Sequence, residues 1–219
     1  MRILAFDCAG AQCAAALTVG GRVAAARRIA ADRGHAQFLV PLLIELLEEA
    51  GLGFSDIDRF AVTTGPGSFT GIRVALAAAH GLALGTGRPI VGVTVFEALA
   101  TAAVESGIAA PRLLVAIDSR RAEQFVQMFD ETGAASGEPA MLAPQAVAGW
   151  AGPGPLAIIG SAAATLAPHL AMSLENPATS WGMDVDPAIV ARLAETRDTG
   201  AAPAPFYLRA PDAIPAKAR

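Results

Sequence analysis

A glycine-rich segment, residues 65–73, has the residue types and spacing best suited to chemistry. It reads Gly-Pro-Gly-Ser-Phe-Thr-Gly-Ile-Arg, follows a predicted buried strand at 59–63 and precedes a predicted helix at 72–84. Backbone N–H groups that converge at a helix N-terminus, together with the helix dipole, can bind an anion. The alternative is a tight turn in which Ser68 or Thr70 caps the helix. The candidate anion or nucleotide contacts are Gly65, Gly67, Ser68, Thr70 and Gly71.

This segment matches none of the common nucleotide or nucleophile motifs. It is not a Walker loop, because no Gly-Lys-Ser/Thr follows, and the third glycine of a GxGxxG motif would fall one place late, at Gly71. Pro66 stands where a GxSxG nucleophile elbow needs its first glycine. A Ser–His–Asp hydrolase stays open as an alternative without a motif to support it. No metal site is predicted, because His35, His80 and His169 lack the spacing of a helical zinc pair.

A carboxylate follows the first predicted strand of each half of the chain. Asp7 ends the strand at 2–6, and Asp118 ends the strand at 112–117. A carboxylate at such a strand end can hold a metal or a water beside a phosphate. The alternative is a turn-forming aspartate that binds its own backbone.

Alternating strand and helix patterns predict an α/β fold of two related lobes that would position these residues. The second half repeats the first, with a strand that ends in Asp, a hairpin and then alternating elements. We therefore predict an N-terminal lobe at 1–107 and a C-terminal lobe at 108–219, each with a mixed sheet and helices, and an extended proline-bearing tail from residue 201. The predicted strands are 2–6, 14–19, 22–29, 59–63, 89–95, 112–117, 123–129 and 156–159, and the predicted helices are 35–50, 72–84, 96–106 and 186–197.

Composition excludes several classes of protein. Hydrophobic residues make up 53% of the 219 residues and charged residues 16%, which excludes intrinsic disorder. No uncharged run approaches the roughly 20 strongly apolar residues of a membrane span, so no membrane contact is expected. A net charge of −4 argues against a protein that grips a nucleic-acid backbone alone. Two cysteines fit a reduced cytoplasm, and we expect both to be small core residues on neighbouring strands.

Five segments together resemble the bacterial TsaB (YeaZ) family. The nonapeptide at 65–73 is the specific one, and supporting matches are Ile-Leu-Ala-Phe-Asp at 3–7, His-Ala-Gln-Phe-Leu-Val-Pro-Leu-Leu at 35–43, Val-Ala-Ile-Asp-Ser-Arg-Arg at 115–121 and Phe-Tyr-Leu-Arg at 206–209. The resemblance implies the two-lobed fold shared by actin, sugar kinases and chaperone ATPases. It also implies a non-catalytic scaffold or activator subunit in the synthesis of threonylcarbamoyladenosine beside the anticodon of tRNA.

The same resemblance implies partners rather than a cofactor of the chain's own. The expected partners are a TsaD-like catalytic subunit that carries the metal site, a TsaE-like small ATPase and, in a homodimer, a second copy. Contact with tRNA is expected only through the complex, and ATP or ADP is expected, if at all, at the interface with the partner. This chain departs from the family at residues 8–12 (Cys-Ala-Gly-Ala-Gln), which offer no Ser or Thr hydroxyl to a phosphate.

Two alternatives to this function stay open from the sequence. One is a stand-alone ATPase-like, kinase-like or peptidase-like enzyme of the same superfamily, against which the departure at residues 8–12 argues. The other is a homodimeric binding protein that uses the glycine-rich segment for a small anion.

Two helices of the N-terminal lobe are expected to dock the partner. The 35–50 helix carries a wide leucine stripe, and the 72–84 helix is lined with small residues around most of its circumference. One lobe buries one helix face, so the other face should meet a partner; the alternative is that both helices lie within the core. The predicted partner contacts are Leu39, Leu42, Leu43, Leu46, Ala75, Ala78, Ala79 and Leu82.

Overall fold

The first half of the chain forms a five-stranded mixed sheet. The computed structural model describes residues 1–170, 180–181 and 184–208. In the first sheet the strand order is β3-β2-β1-β4-β5, with β1, β2 and β3 antiparallel and β1, β4 and β5 parallel. Its elements are β1 (Arg2–Asp7), β2 (Gln12–Val19), β3 (Arg22–Ala30), α1 (His35–Glu49), β4 (Arg59–Thr63), α2 (Phe69–Thr86), β5 (Ile90–Val93) and α3 (Val95–Glu105).

The second half repeats this topology. Its sheet has the order β8-β7-β6-β9-β10, again with an antiparallel trio followed by two parallel strands. Since the order and the strand directions match those of the first sheet, the predicted two-lobed α/β fold with a mixed sheet in each lobe is confirmed. The elements are β6 (Arg112–Asp118), β7 (Gln124–Asp130), β8 (Ala140–Leu142), α4 (Pro144–Ala151), β9 (Ala157–Ile159), α5 (Ala163–Leu166), β10 (Ser180–Trp181) and α6 (Pro187–Glu195).

One helix of each lobe packs against the sheet of the other lobe. Helix α6 packs on β1 and β2 of the first sheet, and α3 packs on β6 of the second. The Arg59 guanidinium strengthens the first of these contacts by donating to the Arg197 carbonyl at 2.9 Å and to the Ala194 carbonyl, at the C-terminal end of α6. Residue 107, the predicted boundary, lies between β5 and β6 and so between the two sheets. Helices α3 and α6, however, each pack on the sheet of the other lobe.

Local signals explain where the elements of the first lobe begin and end. Gly20 and Gly21 have φ values of 57° and 77°, the positive pair that a two-residue hairpin turn between β2 and β3 requires. Helix α2 starts at Phe69, three residues before the predicted start, because the Ser68 hydroxyl accepts the Gly71 N–H at 3.2 Å and caps the helix. It ends where Gly87 takes the left-handed conformation, φ 69°.

Helix α2 is apolar on both its buried and its exposed face. Among the helices of the described residues it alone is long and apolar enough to cross a membrane by length and composition, with a mean hydropathy of 1.2. One face of it packs against β4 and α1. The opposite face is exposed, and its most accessible residue is Leu84, at 89% exposure.

Residues 201–208, the last described segment, lie along the first lobe in an extended conformation. Residues 201–208 contain no helix or strand. The Phe206 N–H donates to the Thr64 carbonyl at 2.8 Å, just beyond β4. The predicted continuation of the tail through Pro211 and Pro215 lies outside the described residues.

Candidate functional site

Asp7, at the carboxyl end of β1, is fully buried and only half satisfied. Its Oδ1 accepts the Thr63 hydroxyl at 2.5 Å and the Ala9 N–H at 3.0 Å. Its Oδ2 has no hydrogen-bond partner among the described residues. Burial raises the pKa of Asp7 above its ordinary value, and the bonds from Thr63 and Ala9 lower it by less. The bond to the Ala9 amide is that of the turn-forming alternative, while Oδ2 stays a buried acceptor.

The glycines of the 65–73 segment are required by close packing on the turn that follows β1. A Cβ added at Gly71 would lie 1.8 Å from the Cys8 carbonyl oxygen, and one added at Gly67 would lie 2.3 Å from the Ala9 carbonyl oxygen. No side chain fits such distances. The Ser68 N–H is not available to an anion either, because it donates to the Ala9 carbonyl at 2.7 Å. The segment is therefore in large part a packing device, and its role in anion binding stays a prediction.

A cavity of about 790 Å³ lies between the lobes and brings the predicted residues together. The structure places Asp7 and the 67–70 part of the glycine-rich segment on one side and Asp118 on the other. Gly65 and Gly71 are not among the lining residues. The Asp118 carboxylate binds the Arg120 N–H at 2.7 Å, again as a turn-forming aspartate. The second lobe adds a polar group of lining residues: Ser119, Arg120, Arg121 and Ser161.

The turn after β1, which borders this cavity, does not fit the phosphates and magnesium of ATP that the resemblance implies. The turn after Asp7 has no hydroxyl, its Cys8 and Ala9 carbonyls face the glycine-rich segment, and burial favours the uncharged acid at Asp7. Among the described residues, no group of three or more His, Cys, Asp or Glu side chains could hold a metal ion. Among the described lining residues, the positive charge that an anion would need lies on the second-lobe side, with Arg120 and Arg121.

The tail closes one end of the cavity through an aromatic cluster that the sequence analysis missed. The Tyr207 ring stacks on Phe69 with centroids 5.6 Å apart, and the Arg73 guanidinium lies 3.8 Å from the Phe69 centroid. The Arg73 Nε donates to the Tyr207 hydroxyl at 2.8 Å. Phe206 and Tyr207 both line the cavity. The resemblance at 206–209 was the one sequence signal that could have pointed to this cluster.

The structure corrects the predicted partner contacts on α1 and α2. Six of them are at most 1% exposed and lie in the chain's own core, because the apolar stripe of α1 and one face of α2 pack against the sheet and each other. Ala78 and Leu82 are partly exposed. The six buried residues are Leu39, Leu42, Leu43, Leu46, Ala75 and Ala79.

A different set of apolar residues is exposed on the same two helices. Val40 and Ile44, one turn apart on α1, are 46% and 40% exposed. On α2, Ala77 and Gly81 are exposed together with Leu84. We call these five residues the docking face. Clustered exposed apolar residues are typical of protein–protein contacts, whereas single ones are common on any surface.

Comparison with known proteins identifies the family. The model of the family described as TsaD: tRNA N6-adenosine threonylcarbamoyltransferase matches residues 14–192. The chain belongs to this family. It is 38% identical over 151 residues to the tRNA threonylcarbamoyladenosine biosynthesis protein TsaB of Escherichia coli (strain K12), a match that covers 67% of this chain and 64% of that protein. The predicted TsaB (YeaZ) relationship is thereby confirmed.

Two further relatives define the extent of the likeness. A tRNA N6-adenosine threonylcarbamoyltransferase of Cereibacter sphaeroides (strain KD131 / KCTC 12085) is 38% identical over 117 residues, which cover 49% of this chain and only 32% of that one. A solved structure from Pseudomonas aeruginosa, described as an uncharacterized protein with similarity to peptidase YEAZ, has a TM-score of 0.77 and 28% identity. That likeness covers 95% of this chain and 99% of the other, so the whole two-lobed fold is shared.

Proposed function

We propose that this chain is a non-catalytic scaffold or activator subunit in the synthesis of N6-threonylcarbamoyladenosine on tRNA, and that it docks a TsaD-type transferase. The docking face is the observation that carries the proposal. Its five residues lie on two helices that pack against each other, and Leu84 is almost fully exposed. The name of the TsaB relative from Escherichia coli supports the pathway.

The shape of the docking face favours another helix as the contacting element. Ala77 and Gly81 lie one turn apart on α2, so a helix from a partner could approach the α2 backbone closely there. Leu84 and Ile44 would supply the larger apolar contacts at its sides. A second copy of the chain would present the same face, so a homodimer would compete with the transferase for it.

A non-catalytic role is supported by the chemistry of the inter-lobe cavity. Asp7 is a fully buried carboxyl whose pKa is raised by burial, and Ser68 caps a helix through its hydroxyl instead of facing a base. The two histidines nearest these segments bind carbonyls, His35 that of Gly10 and His80 that of Pro203. Catalysis, the metal and most contact with tRNA would then come from the partner proteins in the cytoplasm.

A nucleotide would have to be held jointly with a partner. The turn after Asp7 offers no hydroxyl to a phosphate, so ATP or ADP would take part at the interface with the transferase. The TsaE-like ATPase would be the third component of the complex.

Reconstitution tests the proposal directly. The transferase and the TsaE-like ATPase of the same organism are mixed with tRNA, a threonylcarbamoyl donor and ATP, with and without this chain. N6-threonylcarbamoyladenosine is then measured in digested tRNA by mass spectrometry. We expect the modified nucleoside only when the chain is present. Equal formation without it would contradict the proposal.

A stand-alone ATPase or kinase-like enzyme is the second candidate, favoured by one observation. Asp7 is among the residues that line the inter-lobe cavity of about 790 Å³, and its Oδ2 has no hydrogen-bond partner among the described residues. If this candidate is correct, the purified chain hydrolyses ATP and Asp7→Ala abolishes that activity. We expect no hydrolysis above the level of the Asp7→Ala variant.

A further inference from the structure

The two cysteines of the chain face each other across the β1–β2 hairpin. The antiparallel pairing of β1 and β2 ends at Asp7 opposite Ala14, and Cys8 and Cys13 are the residues that come next on the two sides of this last pair. The two Sγ atoms are 3.0 Å apart, closer than an ordinary van der Waals contact of two sulfurs, and both side chains are completely buried.

The surroundings of the pair make the two thiols unequal. The Cys13 S–H lies toward the His35 carbonyl at 3.7 Å, which leaves the Cys13 sulfur free to accept the Cys8 S–H. This hydrogen bond lowers the pKa of Cys13, and together with burial it raises the pKa of Cys8. Cys13 is therefore the thiol that ionises first, and Cys8 holds its proton beside it.

We propose that Cys8 and Cys13 form a reversible redox site: when local opening of the turn after β1 admits a peroxide to these buried thiols, it oxidises them to an intramolecular disulfide. In the first step Cys13 loses its proton and its thiolate attacks one oxygen of the peroxide; the O–O bond breaks, Cys13 becomes a sulfenic acid, and the leaving hydroxide takes the proton as water. In the second step the Cys8 sulfur attacks the Cys13 sulfur; the S–S bond forms, the S–O bond breaks, and the Cys8 proton leaves with the hydroxide as a second water. Two thiols are oxidised and one hydrogen peroxide is reduced to two waters.

The position of the pair couples it to the inter-lobe cavity and to α2. An S–S bond of about 2.05 Å draws the sulfurs roughly 1 Å closer than they are in the dithiol. The Cys8 and Ala9 carbonyls fill the space beside Gly71 and Gly67, with no clearance for a Cβ. A contraction of this turn is therefore transmitted to the glycine-rich segment and to the start of α2, the helix that carries three of the five docking-face residues.

Intact-mass analysis of the folded protein tests the proposal. The purified chain, first reduced, is incubated with hydrogen peroxide, then denatured and alkylated; near-ultraviolet circular dichroism before denaturation confirms that it stays folded. We expect a species lighter by two hydrogen atoms that takes up no alkylating reagent. A proteolytic digest should join the peptides of Cys8 and Cys13, and dithiothreitol should restore both thiols.

Two single variants distinguish a pair from two independent thiols. Cys8→Ala should accumulate a Cys13 sulfenic acid that dimedone traps, because the resolving thiol is gone. Cys13→Ala removes the second sulfur, so Cys8 should give no species lighter by two hydrogen atoms and should stay alkylatable or be oxidised only as a single thiol. The proposal is overturned if both thiols of the folded wild type stay alkylatable after oxidation, or if they oxidise separately to sulfinic acids without the joined peptide.

Discussion

Replacement of Leu84 should separate docking from folding. The side chain is 89% exposed near the C-terminal end of α2, so it makes few contacts in the free chain. An exposed substitution of this kind changes the free energy of unfolding by about 0.5 kcal/mol or less. Lysine suits the site, because it is a good helix former and its charge is favourable near a helix C-terminus. Leu84→Lys should therefore melt at nearly the wild-type temperature.

The expected loss of affinity follows from the area that the partner would cover. Each buried CH₂ contributes about 0.8 kcal/mol, so Leu84→Ala, which removes three carbons, should weaken transferase binding by about 2.4 kcal/mol. That free energy corresponds to roughly a 50-fold increase in Kd. Leu84→Lys should weaken binding further, because the charged group must also lose water in the interface.

Isothermal titration calorimetry with the purified TsaD-type transferase measures these changes. Val23→Lys is the matched control, since Val23 is also an exposed apolar residue, at 53%, but lies on the edge strand β3. Leu43→Lys is not a docking test, because Leu43 is fully buried and the variant should unfold. If the Leu84 variants bind the transferase as tightly as wild type while Val23→Lys does too, the docking face is wrongly placed.

Three further predictions concern the inter-lobe site and its supports. Gly71→Ala should destabilise the chain by about 2 kcal/mol or more in urea unfolding, whereas Gly81→Ala, with open space around it, should stabilise it by up to about 1 kcal/mol; equal effects would refute the packing role. Because burial raises the Asp7 pKa, folding loses stability as pH rises from the unfolded to the folded pKa, and Asp7→Asn should remove this slope in unfolding curves measured across that range. Burial alone would raise the pKa of Glu97, but its hydrogen bonds, including one from Arg197, lower it overall. Arg197→Ala should raise that pKa in a carboxyl NMR titration, and the stability that Glu97 supplies above its unfolded pKa should then be lost at a higher pH; an unchanged titration would contradict this.

The long elements of the chain were predictable because their patterns are local. A leucine stripe at helical spacing predicted α1, and a buried apolar run that ends in Asp predicted β1 and β6. The short elements β8, α4 and α5 were missed. They have three, eight and four residues, and a period of 3.6 or 2 residues needs a longer run to stand out.

The contacts around the cavity could not be read from local patterns. Arg73 and Tyr207 are 134 residues apart in sequence, and only the fold brings the guanidinium to the phenol hydroxyl. Gly67 and Gly71 suggested an anion-binding loop. A loop whose amides converge on an anion requires glycine, but so does a backbone packed closely against another segment, and the sequence does not distinguish the two causes. The Cys8 and Ala9 carbonyls, which explain these glycines by packing, belong to the turn after β1, about 60 residues earlier in the sequence.

The order of the long elements, the repeat of the two lobes and the family were predictable from the sequence, since each depends on local periodicity or on a specific motif. Only the tertiary structure decided which surface of α1 and α2 is free. The apolar stripe of α1 packs against the first sheet and is buried there. Helix α2 is apolar around most of its circumference, so the composition of α2 does not indicate which side is buried. Packing against β4 and α1 buries Ala75 and Ala79 and leaves Leu84 exposed.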